Sequence, residues 1–135
     1  MMMGKEADMK KVALITTNKI LAQSLAVAMK TIPELNFDFY LFLNYQQAIL
    51  DAQVFEINVA LIDVTGCEAS EKKTPFKFLE ALHKSLPNCH LMLLVSQEDT
   101  KCRELAEHAK KNKLIEDFVF YDASLQYLLA KLESI

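Results

Sequence analysis

Three features of the chain predict an α/β fold, a three-layer sandwich around a five-stranded parallel sheet. Five short runs of strand-forming apolar residues alternate with five segments of helical periodicity. The run Val59-Ala60-Leu61-Ile62 is apolar throughout, as suits a central strand buried on both faces, and it ends on the carboxylate of Asp63. The length of 135 residues, 52% of them hydrophobic, suits one domain with one core.

Each element has its own signals. Lys11 to Thr17 forms the first strand around Val12-Ala13-Leu14-Ile15, and Asn18 is placed to cap the helix that follows. That helix carries Ile20, Leu21, Ser24, Leu25, Ala28, Met29 and Ile32 at helical spacing, and Pro33 marks its stop. Phe37 to Leu43 is an aromatic-rich second strand. Asn44 with Gln47 opens a second helix striped by Ala48, Ile49 and Ala52. The third strand ends at Asp63, and a polar loop spans Thr65 to Thr74. Pro75 suits a first helical position, followed by Phe76, Leu79, Leu82 and Leu86 on one side of a third helix. Cys89 to Ser96 is the fourth strand. Asp99 or Thr100 caps a fourth helix that buries Cys102, Leu105, Ala106 and Ala109. Lys110, Lys111 and Lys113 suit the end of its dipole. Asp117 to Tyr121 is the fifth strand, and Ser124 leads into a last helix with Leu125, Leu128, Leu129 and Leu132.

Composition narrows the function classes. A net charge of −3 and a pI near 5.6 argue against a nucleic-acid-binding surface. The apolar runs are too short to span a membrane, and the start lacks the apolar core of a secretion signal. Residues 1–8 are expected to be a short disordered leader ahead of a domain over 9–135. Cys67, Cys89 and Cys102 have no metal-site or redox-motif spacing and read as reduced cysteines of a cytoplasmic protein. His83, His90 and His108 are scattered too. With only Gly4 and Gly66, the chain has no phosphate loop, dinucleotide fingerprint or nucleophile elbow. A binding module rather than an enzyme is expected.

Strands joined through helices should be parallel, with right-handed crossovers. The expected sheet order is 2-1-3-4-5, the flavodoxin-like winding, in which ligands bind beyond the carboxyl ends of the strands. The residues delivered there are Thr16, Thr17, Asn18, Asp63, Thr65, Ser96, Gln97, Tyr121 and Asp122.

With these residues the chain resembles the receiver (CheY-like) domain of bacterial two-component response regulators, over nearly its whole length after Met9. The resemblance implies that Asp63 is the phosphoacceptor, and that Ser96 and Phe118 are the switch residues at the fourth and fifth strands. With the composition, the expectation is a cytoplasmic protein without direct contact with nucleic acid or membrane. Expected partners are a histidine kinase, an output domain or another signalling protein. A contact face or homodimer surface is expected on the fourth helix, fifth strand and fifth helix. On that face stand Arg103, Glu107, Lys110 and Asp117, with Tyr121, Gln126, Tyr127 and Lys131.

The departures from the family pattern lie in the crevice. Thr16 and Thr17 stand where the family has an acidic pair that helps hold a divalent metal. Tyr121 and Asp122 stand where it has Lys-Pro. Mg²⁺ would keep only Asp63, the backbone near Thr65, and water, so either no cofactor or weakly bound Mg²⁺ is expected. Asp122 adds negative charge where phosphotransfer needs positive charge. The expectation is an atypical receiver working by protein contact. The alternatives are a phosphorylatable receiver and a small flavodoxin-like enzyme or nucleotide binder.

Overall fold

The computed structural model describes residues 9–32, 37–64, 73–121 and 123–135, the side chains of 73–76 and 125 excepted. The strands are β1 (Lys10–Ile15), β2 (Phe37–Phe42), β3 (Val59–Asp63), β4 (His90–Val95) and β5 (Asp117–Phe120). They alternate with α1 (Lys19–Lys30), α2 (Tyr45–Phe55), α3 (Lys73–Ser85), α4 (Thr100–Lys111) and α5 (Leu125–Ser134). The sheet order is β2-β1-β3-β4-β5 and every pairing is parallel, as expected.

Period-two alternation along the inner strands divides the core into two layers. Ala13, Ile15, Ala60 and Ile62 pack with Ala48 and Ala52 of α2, Leu79 and Leu82 of α3, and Cys102 and Ala106 of α4. Val12, Leu14, Val59 and Leu61 pack on the other face with Ala22 and Met29 of α1 and Leu128 and Leu132 of α5. All of β3 is buried, which explains its unbroken apolar run. Four helices start on a side-chain cap. Asn18, Asn44, Asp99 and Ser124 accept the N–H of Leu21, Gln47, Cys102 and Tyr127 respectively.

Several expectations need correction. β1 ends at Ile15 rather than Thr17, and the other strands that begin or end differently do so by a single residue. Ile20 does not belong to the buried stripe of α1. It is 77% exposed, while Ala22 and Met29 are buried. The helix turns Ala22 and Met29 to the core with Leu21 and Leu25 packed beside them, which leaves Ile20 exposed. Helix α3 begins at Lys73, so Pro75 lies within its first turn, where a missing N–H is still tolerated. Cys89 is a free buried thiol, pushed up to about 11 by burial. Cys102, fully buried on α4, is disulfide-bonded, which corrects the reading of three reduced cysteines. The leader over 1–8, Pro33, and the side chains of Phe76 and Leu125 fall outside what is described.

Candidate functional site

Strand β3 delivers Asp63 to the carboxyl end of the sheet with 4% of its surface exposed. Fully buried Thr16, just past β1, donates its hydroxyl to Asp63 Oδ2 at 2.6 Å. Thr16 Oγ1 in turn accepts the Asn18 N–H at 2.9 Å, so its one proton is committed to the carboxylate. Asp63 Oδ1 is also buried, without a hydrogen-bond partner among the described residues. Burial pushes the Asp63 carboxyl above the usual carboxylate range, and the Thr16 hydrogen bond offsets part of this.

Tyr45, the first residue of α2, donates its hydroxyl to the backbone carbonyl of Asp63 at 2.6 Å. Burial, and secondarily the Asp63 charge, push this phenol up to about 12. Sequence reasoning did not single out Tyr45, which follows the cap residue Asn44. The available signal was a tyrosine at the carboxyl end of the sheet, since a half-buried phenol needs a partner for its hydroxyl.

The other expected crevice residues divide. Asn18 is joined to Asp63 through Thr16. Thr17 and Gln97 are exposed. Ser96 is half-buried, and its hydroxyl accepts the Glu98 N–H at 3.3 Å. Tyr121, 37% exposed, lines a groove of about 190 Å³ between α1 and α5. That volume falls below the ordinary range of a small-molecule site, ~300–1,000 Å³. Thr65 and Asp122 lie outside the described residues. Phe118 is half-buried against the α2–α4 side of the core, its ring 5.9 Å from Phe120 in an edge-on contact.

The described donors do not make an ordinary Mg²⁺ site. No group of three or more His, Cys, Asp or Glu side chains among the described residues could hold a metal. Mg²⁺ takes near-octahedral oxygen ligands, usually including one or two carboxylates. Thr16 engages Asp63 Oδ2 as a donor, which leaves Oδ1 as the open carboxylate oxygen among the described residues.

On the α4–β5–α5 edge, Asp117 is held from both sides. Lys110 of α4 bridges Oδ1 at 3.0 Å and Lys131 of α5 bridges Oδ2. Burial works against the ionised carboxyl. The bonds from Lys131, the Phe118 N–H and Lys110 outweigh it and hold Asp117 below the usual range. Lys131 also lies over the half-exposed Tyr127 ring, 5.9 Å from its centroid. Arg103 Nε is buried without a hydrogen-bond partner among the described residues.

No family model matches the sequence. No curated protein matches it either. Solved structures do. The signal receiver domain of a modulated diguanylate cyclase from Desulfovibrio desulfuricans G20 superposes with a TM-score of 0.70 at 16% identity, over 94% of this chain and 93% of that one. The chemotaxis protein CheY4 of Vibrio cholerae gives 0.71 at 15% identity, over 94% and 98%. A DNA-binding response regulator of the LuxR family from Staphylococcus aureus gives 0.69 at 14% identity, over 93% and 97%. The chain therefore has the flavodoxin-like fold of response-regulator receiver domains. No helix among the described residues is long and apolar enough to cross a membrane.

Proposed function

We propose that this chain is a receiver-like module of two-component signalling that acts by protein–protein contact, with weak or no Mg²⁺-dependent phosphorylation of Asp63. The observation that carries this reading is the Thr16–Asp63 hydrogen bond. A hydroxyl donates to the carboxylate at the position where the resembling family supplies a metal-binding acid. Burial also favours the neutral carboxyl, which is a poorer nucleophile than the carboxylate. Burial opposes the gathering of negative charge that an acyl phosphate requires, and a threonine in place of an acid leaves the offsetting metal one ligand fewer.

On this reading the protein is a cytoplasmic, non-enzymatic partner of a histidine kinase, an output domain or another signalling protein. It touches neither membrane nor nucleic acid directly. The α4–β5–α5 edge is the first candidate for contact, including contact with a second copy. Its exposed Tyr127 supports that choice. The Lys110–Asp117–Lys131 bridge ties α4 and α5 together there.

Incubation with acetyl phosphate and Mg²⁺, followed by intact-protein mass spectrometry, tests the reading. Little or no phosphoryl adduct is expected. Prompt, stoichiometric, Mg²⁺-dependent labelling that Asp63→Asn abolishes would instead establish the second reading, a working phosphoacceptor. One feature favours that alternative. Asp63 Oδ1 has no hydrogen-bond partner among the described residues and could still form a bond to phosphorus.

A further inference from the structure

The pairing of β1 with β3 runs out at Ile15–Ile62, one residue short of Asp63. The Asp63 carbonyl lies past that ladder and takes its hydrogen bond from the Tyr45 hydroxyl instead. Tyr45 is anchored at both ends. Its backbone starts α2, directly after the Asn44 cap. Its ring stands edge-on against Phe78 of α3, with centroids 5.2 Å apart and planes at 86°. A hydroxyl in a 2.6 Å bond cannot lose its carbonyl without cost, because a half-buried phenol has few other acceptors. Displacement of the Asp63 backbone therefore moves the ring, and the ring is packed on α3 while its backbone begins α2. Helix α2 in turn exposes Leu50 (55%) and Val54 (74%).

We infer that Tyr45 is a positioning residue that fixes the backbone of Asp63 and transmits a change at its carboxyl to α2 and α3. The inference rests on the reading that the Asp63 crevice is the module's input. It adds a route of read-out through α2 and α3, separate from Ser96 and Phe118 toward α4 and β5.

A double-mutant cycle on the full chain tests it, with no phosphodonor, metal or partner present. Backbone amide spectra are compared for the wild type, Asp63→Asn, Tyr45→Phe and the double variant. In the wild-type background, Asp63→Asn should shift amides in the first turn of α2 and around Phe78. In the Tyr45→Phe background those shifts should shrink roughly twofold or more, while shifts in the Ser96–Glu98 turn persist. Phe78→Leu, which keeps the phenol's hydrogen bond, should remove the α3 response and spare that of α2. This variant decides the matter should Tyr45→Phe fail to fold. Equal α2 and α3 responses with and without the Tyr45 hydroxyl, or an α3 response that survives Phe78→Leu, would overturn the role of Tyr45 alone. If Asp63→Asn shifts only its immediate neighbours in the wild-type background, the crevice is not an input and the functional reading falls with it.

Discussion

Two aspartates end up in opposite situations. Asp63 closes the central strand at the carboxyl end of the sheet. Asp117 opens the edge strand β5. Asp117 keeps 22% of its side chain in solvent and has a lysine on each oxygen, so its carboxyl is held below the usual range. Asp63 is more deeply buried, has one hydroxyl on one oxygen and nothing on the other among the described residues, and is pushed up. Structural carboxylates are normally balanced as Asp117 is. A buried carboxyl left unbalanced is a cost to the fold, and such costs concentrate where function retains them. The difference locates the candidate site without recourse to the resemblance.

If Asp63 depends on Thr16 alone, removing that hydroxyl should produce the largest effect. Thr16→Val is isosteric. It takes the bond from Asp63 Oδ2 and from the Asn18 N–H, and should cost about 2–3 kcal/mol in urea unfolding at neutral pH. In the Asp63→Asn background the cost should be smaller, because a bond to a neutral amide is weaker than one to a carboxylate. Equal costs in the two backgrounds would mean that the Asp63 charge is unimportant to the bond.

Asp63→Asn alone should have the opposite sign, raising stability by about 1 kcal/mol at neutral pH, because it removes a buried charge with one oxygen unsatisfied among the described residues. The pH dependence follows from the raised carboxyl. Between the ordinary value of 3.8 and the higher folded value, the folded state binds more protons than the unfolded state. As pH falls through that window the wild type regains stability, so its deficit relative to Asp63→Asn should close. Paired melting curves at several pH values will show it.

The contrast between the aspartates was only half legible in sequence. The strand ending at Asp63 stood out because four unbroken apolar positions, Val59 to Ile62, preceded a charge. The topology followed from the alternation of two periodicities, and the helix starts followed from Asn18, Asn44, Asp99 and Ser124. Long-range side-chain pairing was not legible. Thr16 and Asp63 are 47 positions apart, and Tyr45 is 18 from the carbonyl it holds. Nothing local marks either pair. Asp117 appeared as an exposed contact residue, and its capture by Lys110 and Lys131 depends on how α4 and α5 flank β5. Ile20 failed for another reason. Helical spacing identifies a stripe, but the side that meets the sheet is decided by close packing, which favoured Ala22.

On the balanced side, Asp117→Asn should cost about 1 kcal/mol, since it weakens two partly exposed pairs at once. The wild-type advantage should be present above the unfolded carboxyl value and lost as pH falls through the lowered folded value, the reverse of the trend at Asp63. Added salt should also reduce it, whereas the buried Asp63 should respond less.

The smallest effect separates the two lysines. Lys110 is half exposed and Lys131 is 30% exposed with Tyr127 beneath its ammonium. Screening and side-chain entropy take most of the value from an exposed pair, so Lys110→Met should change stability by only a few tenths of a kcal/mol. Lys131→Met loses a less solvated bridge and the ring contact together, and should cost more. Each variant leaves one lysine on Asp117, so neither should cost as much as Asp117→Asn. If Lys110→Met matched Lys131→Met in urea unfolding, solvent exposure would not be what grades these bridges. The balance at Asp117 would then belong to the three-residue network as a whole, with α4 and α5 held equally through it.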